Sequence, residues 1–428
     1  MSTLSGSGAR LKGPQVSQVM PTATPFREIA VGARRWLLAA ACLGLVALAF
    51  LASAGRPALG SLLRTGSVQA SFKPGSVTFI SLQTGWVLGT APCASGRECL
   101  ALRETNDAGR AWSARPLPAS LVVAADRLVG GVPGAVYGMA GLNVRFADRS
   151  DGWIYGSLAV TTDSYRPTLW STHDGGLVWR EQPLPGLSLD TSIFDLQAAA
   201  GTAYRVQSNP PGVTVKSSPV AQDRWRVANT ARLGLPAGGA QPSGSIVLQG
   251  RSGWLVVGND RGTSGSARLT PDGQWVSWTP PCASVGGSFA IPAASTPRDL
   301  VAVCVMGGFA SQPPAGRAEG SSWLYFSNDG GSTFYSGREL GPTGDFFGGV
   351  LASPRPGVIL IGHGVANGQD LIASSDGGVR WSVVYRGQLL FLGFTSPSQG
   401  VGIVKSSSSA NTMIMTFDGG HRWAPVKF

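Results

Sequence analysis

Ser374-Ser-Asp376-Gly-Gly378-Val-Arg-Trp381 is answered 42 residues later by Thr416-Phe-Asp418-Gly-Gly420-His-Arg-Trp423, and the two share one pattern, Ser/Thr-x-Asp-x-Gly-x-x-aromatic. Upstream it returns as Ser327-Asn-Asp329-Gly-Gly331-Ser-Thr-Phe334, as Thr172-His-Asp174-Gly-Gly176-Leu-Val-Trp179 and as Thr105-Asn-Asp107-Ala-Gly109-Arg-Ala-Trp112. Two worn versions fall in the gap, Ser218 to Asp223 with Trp225, and Thr270-Pro-Asp272-Gly273 with Trp275. The aspartates then stand at 107, 174, 223, 272, 329, 376 and 418, at intervals of 67, 49, 49, 57, 47 and 42 residues. A recurrence of this order marks a chain built from stacked supersecondary units.

A second marker keeps step with the first. Before each aspartate lies an apolar run that often passes through polar turn residues to Gly-Trp. The runs start near Phe79 (with Gly85-Trp86), Phe146 (Gly152-Trp153), Phe194, Ile246 (Gly253-Trp254), Phe289, Val350 and Phe394. They precede their aspartates by 28, 28, 29, 26, 40, 26 and 24 residues. From Phe79 to Phe428 there are 350 residues, or 50 per unit, about the length that four strands of ~5–6 residues and turns of ~4–6 consume. A four-stranded sheet has two apolar faces that it cannot bury alone, so neighbours stack, and closing the stack into a ring removes the exposed ends. The expected fold is all-β: a seven-bladed β-propeller of four-stranded blades over residues 76–428. Composition agrees, with 60 Gly and 29 Pro in 428 residues, 43% hydrophobic and 13% charged; this excludes a disordered chain and a helical bundle.

The turns resemble the Asp-box, or bacterial neuraminidase repeat, and the paired Gly-Trp strand is similar to propellers of the photosystem II assembly-factor type. The likeness spans residues 75–428 and implies a sialidase-like superfamily fold. It implies that each box is a β-hairpin turn. Asp107, Asp174, Asp223, Asp272, Asp329, Asp376 and Asp418 would accept hydrogen bonds from backbone N–H groups of their own turn. The Gly takes positive φ, and Trp112, Trp179, Trp225, Trp275, Phe334, Trp381 and Trp423 pack between sheets. These residues are therefore expected to be scaffold. Each box offers one carboxylate, whereas a calcium loop clusters several oxygens within ~12 residues, so no metal and no cofactor is expected. His173 and His421, at variable box positions, read as exposed polar fillers.

Trp36 to Gly55 is a 20-residue run without charge, long enough at ~1.5 Å per residue to cross the ~30 Å core of a bilayer. Arg10, Lys12, Arg27, Arg34 and Arg35 precede it against Glu28 alone, which keeps the N-terminus cytoplasmic and sends the rest across. The expected organisation is a disordered cytoplasmic tail (1–35), a transmembrane helix or signal sequence (36–55), a linker (56–75) and the propeller. Ala52-Ser53-Ala54 has the form that signal peptidase accepts, so the alternatives are a single-pass membrane protein and a secreted one. Both place the propeller outside the cytoplasm. Cys42 lies within the run, while Cys93, Cys99, Cys282 and Cys304 lie beyond it, where disulfides persist. Four cysteines allow three pairings; the parsimonious one joins Cys93 to Cys99 and Cys282 to Cys304.

Catalytic signatures are absent from the sequence. The sialidase likeness implies an Arg-Ile-Pro motif, an arginine triad and a Tyr-Glu pair with an Asp acid, but no Arg-Ile-Pro occurs. The five glutamates of the exported part, Glu98, Glu104, Glu181, Glu319 and Glu339, all lie outside the apolar runs expected to line the hub. There is no Gly-x-Ser-x-Gly elbow, phosphate-cradling loop or His-Glu-x-x-His. The net charge of +11 also divides unevenly: residues 1–56 hold six Lys/Arg and one acid, leaving 28 basic and 22 acidic residues over the other 372. That mild excess, without a basic cluster interleaved with aromatics, does not read as a nucleic-acid groove.

The sequence thus points to a non-catalytic extracytoplasmic propeller that binds a protein or an envelope polymer as scaffold, assembly factor or sensor, tied to the membrane by its N-terminal helix. The alternative is a sialidase-like secreted protein that hydrolyses or binds glycans. Three segments depart from the repeat and read as insertions that contact a partner: Pro116–Asn143, Val206–Ser217 and Met306–Ser321.

Overall fold

A computed structural model describes residues 72–92, 98–121, 141–159, 165–187, 189, 191–209, 211–228, 233–234, 243–259, 262–284, 288–306, 321–342, 350–365, 368–405 and 411–428. Among these, the strands form seven antiparallel sheets, each a meander of four strands in chain order. Blade 1 contains Lys73–Phe79, Gly85–Pro92, Glu98–Thr105 and Ser113–Arg115. The first strands of blades 2 to 7 are Leu142–Phe146, Ile193–Ala199, Ser243–Gln249, Ser288–Ala294, Leu351–Arg355 and Leu389–Phe394. Each first strand contacts the first strand of the next blade, from blade 1 through blade 7, which puts this set around the axis. The chain is an all-β seven-bladed propeller. Blade 3 adds a fifth short strand, Leu233–Gly234, paired with Gly212–Pro219.

Strand pairing accounts for the two sequence markers moving together. Phe79 is the cross-strand partner of Gly85, Phe146 of Gly152 and Phe394 of Gly400. Each ring lies over its glycine so closely that a Cβ there would fall 2.5–2.7 Å from ring carbons; only a residue without a side chain fits beneath the aromatic. The same three rings meet the box tryptophans edge-on, Phe79 with Trp112 at 6.2 Å, Phe146 with Trp179 at 6.1 Å and Phe394 with Trp423 at 6.2 Å between centroids, all at 82–84°. The apolar run, the Gly and the box aromatic are three parts of one packing unit.

The core lies between blades. Trp86 of blade 1 stacks on Phe146 of blade 2 at 3.8 Å and 8°, and Trp86, Trp153 and Trp254, which follow the glycines, are fully buried. Among the described residues the ring closes by side-chain packing between blades 7 and 1, without an exchanged strand. Phe72, Val77 and Val87 pack there on Val401, Ile403, Met413 and Met415. Phe428 adds its ring against Phe72 and Trp112, and buried Gln399 donates its side-chain amide to the Leu82 carbonyl at 2.8 Å.

Cys282 and Cys304 form a disulfide. Cys93 lies outside the described residues, and the Cys93–Cys99 pairing with it. So do the tail 1–35, the apolar run Trp36–Gly55 and residues 56–71 of the expected linker 56–75, whose last residues, Lys73 to Gly75, instead open the first strand of blade 1. Among the described residues no helix is long and apolar enough to cross a membrane.

Candidate functional site

The meander sends its loops to two ends. One end carries the turns within strand pairs 1–2 and 3–4 of each blade; the other carries the 2–3 loops and the links between blades. The Asp-containing repeats are the 3–4 turns. In the five full copies the hydroxyl of the first residue donates to the aspartate Oδ1 at 2.7–2.9 Å and accepts the N–H of the fifth residue at 2.8–3.0 Å. The same Oδ1 accepts the next two backbone N–H groups at 2.9–3.1 Å. The three donors converging on Oδ1 help to hold Asp107, Asp174, Asp329, Asp376 and Asp418 below the usual carboxylate range; the Ala111 N–H is the main cause at Asp107, that of Arg380 at Asp376 and the Thr333 hydroxyl on Oδ2 at Asp329, while at Asp174 and Asp418 the donors outweigh burial, which works to raise the carboxyl. Trp112, Trp179, Trp381 and Trp423 donate their indole N–H to the turn's own glycine carbonyl at 3.0–3.2 Å. The fourth residue of each full turn donates its N–H to the 1–2 turn of the same blade, as Gly419 does to the Ser398 carbonyl at 2.8 Å.

The two worn copies depart from this geometry. Asp223 does not cap its own turn: its Oδ2 reaches into blade 2 and accepts from Ser171 Oγ at 2.7 Å and Gln182 Nε2 at 2.9 Å, with His173 Nε2 at 3.1 Å. Ser218 instead holds that turn, bonded to the Gln222 carbonyl and the Arg224 N–H. The physical reason is length, because five residues separate Ser218 from Asp223 and the carboxylate falls past the N–H groups it would cap. In blade 4 the turn is a tight hairpin closed by Thr270 N–H to the Gln274 carbonyl at 2.9 Å, and Trp275 is buried edge-on against Tyr204 at 5.7 Å. Trp278, not singled out in the sequence, packs on Phe334 and donates to the Gly331 carbonyl at 2.8 Å.

His173 is exposed, as expected, but it is more than a filler. Its Nδ1 lies 2.5 Å from Asp151 Oδ1, so the ring bridges the 1–2 turn of blade 2 and Asp223 of blade 3. Burial opposes its charge, yet the two carboxylates hold its pKa above the ordinary histidine value. Burial pushes Asp151 up, aided by Asp148 and opposed by His173.

One acid does reach the hub. Asp195, in the first strand of blade 3, accepts the Tyr155 hydroxyl of blade 2 at 3.1 Å and the N–H of Ile246 of blade 4 at 2.9 Å, together with Leu196 N–H and the Gln197 amide. It pins three blades. Burial is the main cause that drives the Tyr155 phenol well above its ordinary value, with the Asp195 charge adding to it, so Tyr155 stays protonated. Among the glutamates, Glu98 pairs with Lys73 at 2.8 Å, Glu104 with Arg115, and Glu181 with Arg166 at 3.9 Å; Glu319 lies outside the described residues. Among the described residues no group of three or more His, Cys, Asp or Glu is placed to hold a metal ion.

No protein-family model and no curated protein matches the chain. Several solved structures are similar to it. "YCF48 bound to D1 peptide" superposes with a TM-score of 0.48 at 17% identity over 82% of this chain and 94% of that one. The β-propeller domain of the Trilobed protease from Pyrococcus furiosus gives 0.48 at 7% identity over 84% and 98%. The α-L-arabinofuranosidase Arb93a from Fusarium graminearum gives 0.41 at 11% identity over 81% and 96%. These likenesses concern the fold, and binders and enzymes stand among them alike.

Of the three expected insertions, Val206–Ser217 is none: Thr202–Asn209 and Gly212–Pro219 pair residue for residue as the second and third strands of blade 3. Residues 122–140, within Pro116–Asn143, and 307–320, within Met306–Ser321, lie outside the described residues. The described strands that flank these segments, Ser113–Arg115 and Leu142–Phe146, and Leu300–Met306 and Ser321–Ser327, face them with their ends opposite the Asp turns.

Proposed function

We propose that this chain is a non-catalytic extracytoplasmic propeller that binds a protein or cell-envelope polymer through the end bearing its 2–3 loops and inter-blade links. The observation that carries this reading is the engagement of Asp195. Its two oxygens between them hold donors from three blades, and its phenol partner is buried and protonated, so the acid found at the hub among the described residues serves the scaffold. The departures of the sequence from the repeat at residues 116–143 and 306–321 support a surface individual to this chain. The five full turns have the bonding expected of Asp-boxes, which supports the likeness to sialidase-like and assembly-factor propellers. In this reading residues 36–55 anchor the protein or direct its export, residues 1–35 stay cytoplasmic, residues 56–71 act as linker and the propeller runs from strand Lys73–Phe79 to Phe428. Its partners are the membrane and a protein or envelope polymer, and not a nucleic acid.

The second reading, a glycan hydrolase, has one observation in its favour, the contact of a tyrosine with a carboxylate at the hub. One experiment separates the two. The full-length protein is crosslinked on intact cells and its partners identified, while the purified chain is assayed on fluorogenic sialosides and arabinofuranosides. Reproducible partners without turnover support the binding role; turnover that Asp195→Asn abolishes while the fold is kept overturns it.

A further inference from the structure

Tyr335 breaks the repeat. The residue that follows the box aromatic is Ser113, Arg180, Arg226, Val276, Ser382 or Ala424 in the other blades, and only blade 5 places an aromatic there. Tyr335 is 55% exposed, and its ring lies against Phe326 at 5.8 Å between centroids and 19° between planes, a platform set by the strand pairing of the two residues. Blade 5 also has the longest fourth strand among the described residues, Tyr335–Pro342, eight residues against two to five in the other blades. This strand walls a cleft of about 610 Å³ between blades 5 and 6, at the end of the ring that carries the Asp turns. The volume falls within the ~300–1,000 Å³ of small-molecule sites.

The lining is chemically selective. Among the described residues Asp299 is its only charged lining side chain, and Arg298 borders it through an Nε–H donated to the Asn328 carbonyl at 3.3 Å. Asp299 Oδ2 is fixed by the Thr296 hydroxyl at 2.6 Å, which orients the carboxylate and leaves Oδ1 as an acceptor. Asn328 and Ser336 add an amide and a hydroxyl beside the exposed ring. A flat aromatic face next to an oriented carboxylate, an amide and a hydroxyl suits a ligand that is apolar on one face and hydroxylated around its rim; a phosphate or a uronate would be repelled by the Asp299 carboxylate. We propose that the cleft between blades 5 and 6 binds a neutral saccharide unit, stacked on Tyr335 and hydrogen-bonded by Asp299, Asn328 and Ser336. The site lies at the end of the ring opposite the loops invoked above and does not rest on that reading.

The test is calorimetric titration of the full-length chain with cellohexaose, maltohexaose and chitohexaose, with hexagalacturonate as the acidic comparator and a peptide array in parallel. Saturable binding of at least one neutral oligosaccharide is expected. Tyr335→Ala should weaken it about tenfold or more, as truncation of a central aromatic contact does, and Tyr335→Phe should keep it within about twofold. Ser336→Trp, which fills the cleft and keeps the platform, should abolish it with Tm unchanged. The proposal fails if none of the three sugars binds at millimolar concentration, if binding is indifferent to Tyr335→Ala, if hexagalacturonate is preferred, or if Tyr335-dependent peptides bind in place of sugars.

Discussion

The Nε2 atom of His173 in blade 2 lies 3.1 Å from Oδ2 of Asp223 in blade 3, and the other ring nitrogen is held by Asp151. An imidazole between two carboxylates is a blade-to-blade tie that depends on its proton. Because the folded-state pKa of His173 is raised, its stabilisation is complete below the unfolded value of ~6.5 and is lost as pH rises through the folded value. His173→Gln keeps hydrogen-bonding capacity without the charge. In urea denaturation the wild type should exceed this variant by more at pH 6 than at pH 9; a gap that does not change with pH would assign the tie to hydrogen bonding alone.

Asp418 tests the turn chemistry. Its burial works to raise the carboxyl, but the Arg422 N–H, the Thr416 hydroxyl and the His421 N–H outweigh it and hold it low. Asp418→Ala removes the acceptor of all three and should cost about 1–2 kcal/mol, the scale of a lost helix cap. Asp418→Asn should fall between, since it keeps an acceptor without the charge. For the wild type this contribution is full above the unfolded value of ~3.9 and fades as pH falls through the lowered folded value. Thermal melts at pH 7 and pH 3 check both statements.

In blade 1 the residue before the turn glycine is Ala108, at φ 64°, where the other four full turns have glycine at 71–77°. The left-handed region costs a residue with a Cβ roughly 1–2 kcal/mol, against the ~0.4–1 kcal/mol of chain entropy that glycine loses on folding. Ala108→Gly should therefore stabilise the protein by up to about 1 kcal/mol, measurable as a higher denaturation midpoint at an unchanged m-value.

The repeat was legible in the sequence because each marker residue has a duty that no other residue type performs. Gly85, Gly152 and Gly400 sit under a ring, and Asp107, Asp174, Asp329, Asp376 and Asp418 each collect three hydrogen bonds on one oxygen. Blade 3 was harder to read. Asn209-Pro-Pro211 and the small polar residues after Val215 broke the apolar alternation of a hairpin that is in fact regular, and the segment looked like an insertion. Asp195 gave no signal either, because a single acid between Phe194 and Leu196 has no period; its place at the hub depends on Tyr155 and Ile246, which are 40 and 51 residues away. Tyr335 departs from the repeat without being part of either marker, and the cleft beside it takes shape only when blade 6 is in place.

Closure by packing makes the blade 7–1 junction sensitive to single residues. Phe72→Ala removes a ring that meets Phe428 at 4.6 Å and should cost about 3–5 kcal/mol, as large aromatic truncations in cores do. Gln399→Ala leaves the Leu82 carbonyl without its donor and should cost about 1–3 kcal/mol. Both variants should also speed limited proteolysis within strand Lys73–Phe79, whereas Leu82→Ala, at an exposed side chain of the same junction, should leave it unchanged.

The Cys282–Cys304 disulfide joins strand Leu300–Met306 to the short 3-10 turn Pro281–Ser284 that leads into blade 5, and closes a loop of 22 residues. Both sulfurs belong to residues only 1% exposed. Crosslinking a loop of this size restricts the unfolded chain by about 3 kcal/mol, so the Cys282→Ala, Cys304→Ala double variant should lose about that much. Thiol exchange needs a thiolate to approach a sulfur directly, and blade packing denies that approach in the folded state. Dithiothreitol at neutral pH should therefore leave the native melting curve unchanged over hours. The same reagent with subdenaturing urea should open the bond at the rate of local unfolding, followed by mass-spectrometric alkylation at Cys282 and Cys304. Rapid alkylation without urea would show that the junction of blades 4 and 5 opens freely in the native protein.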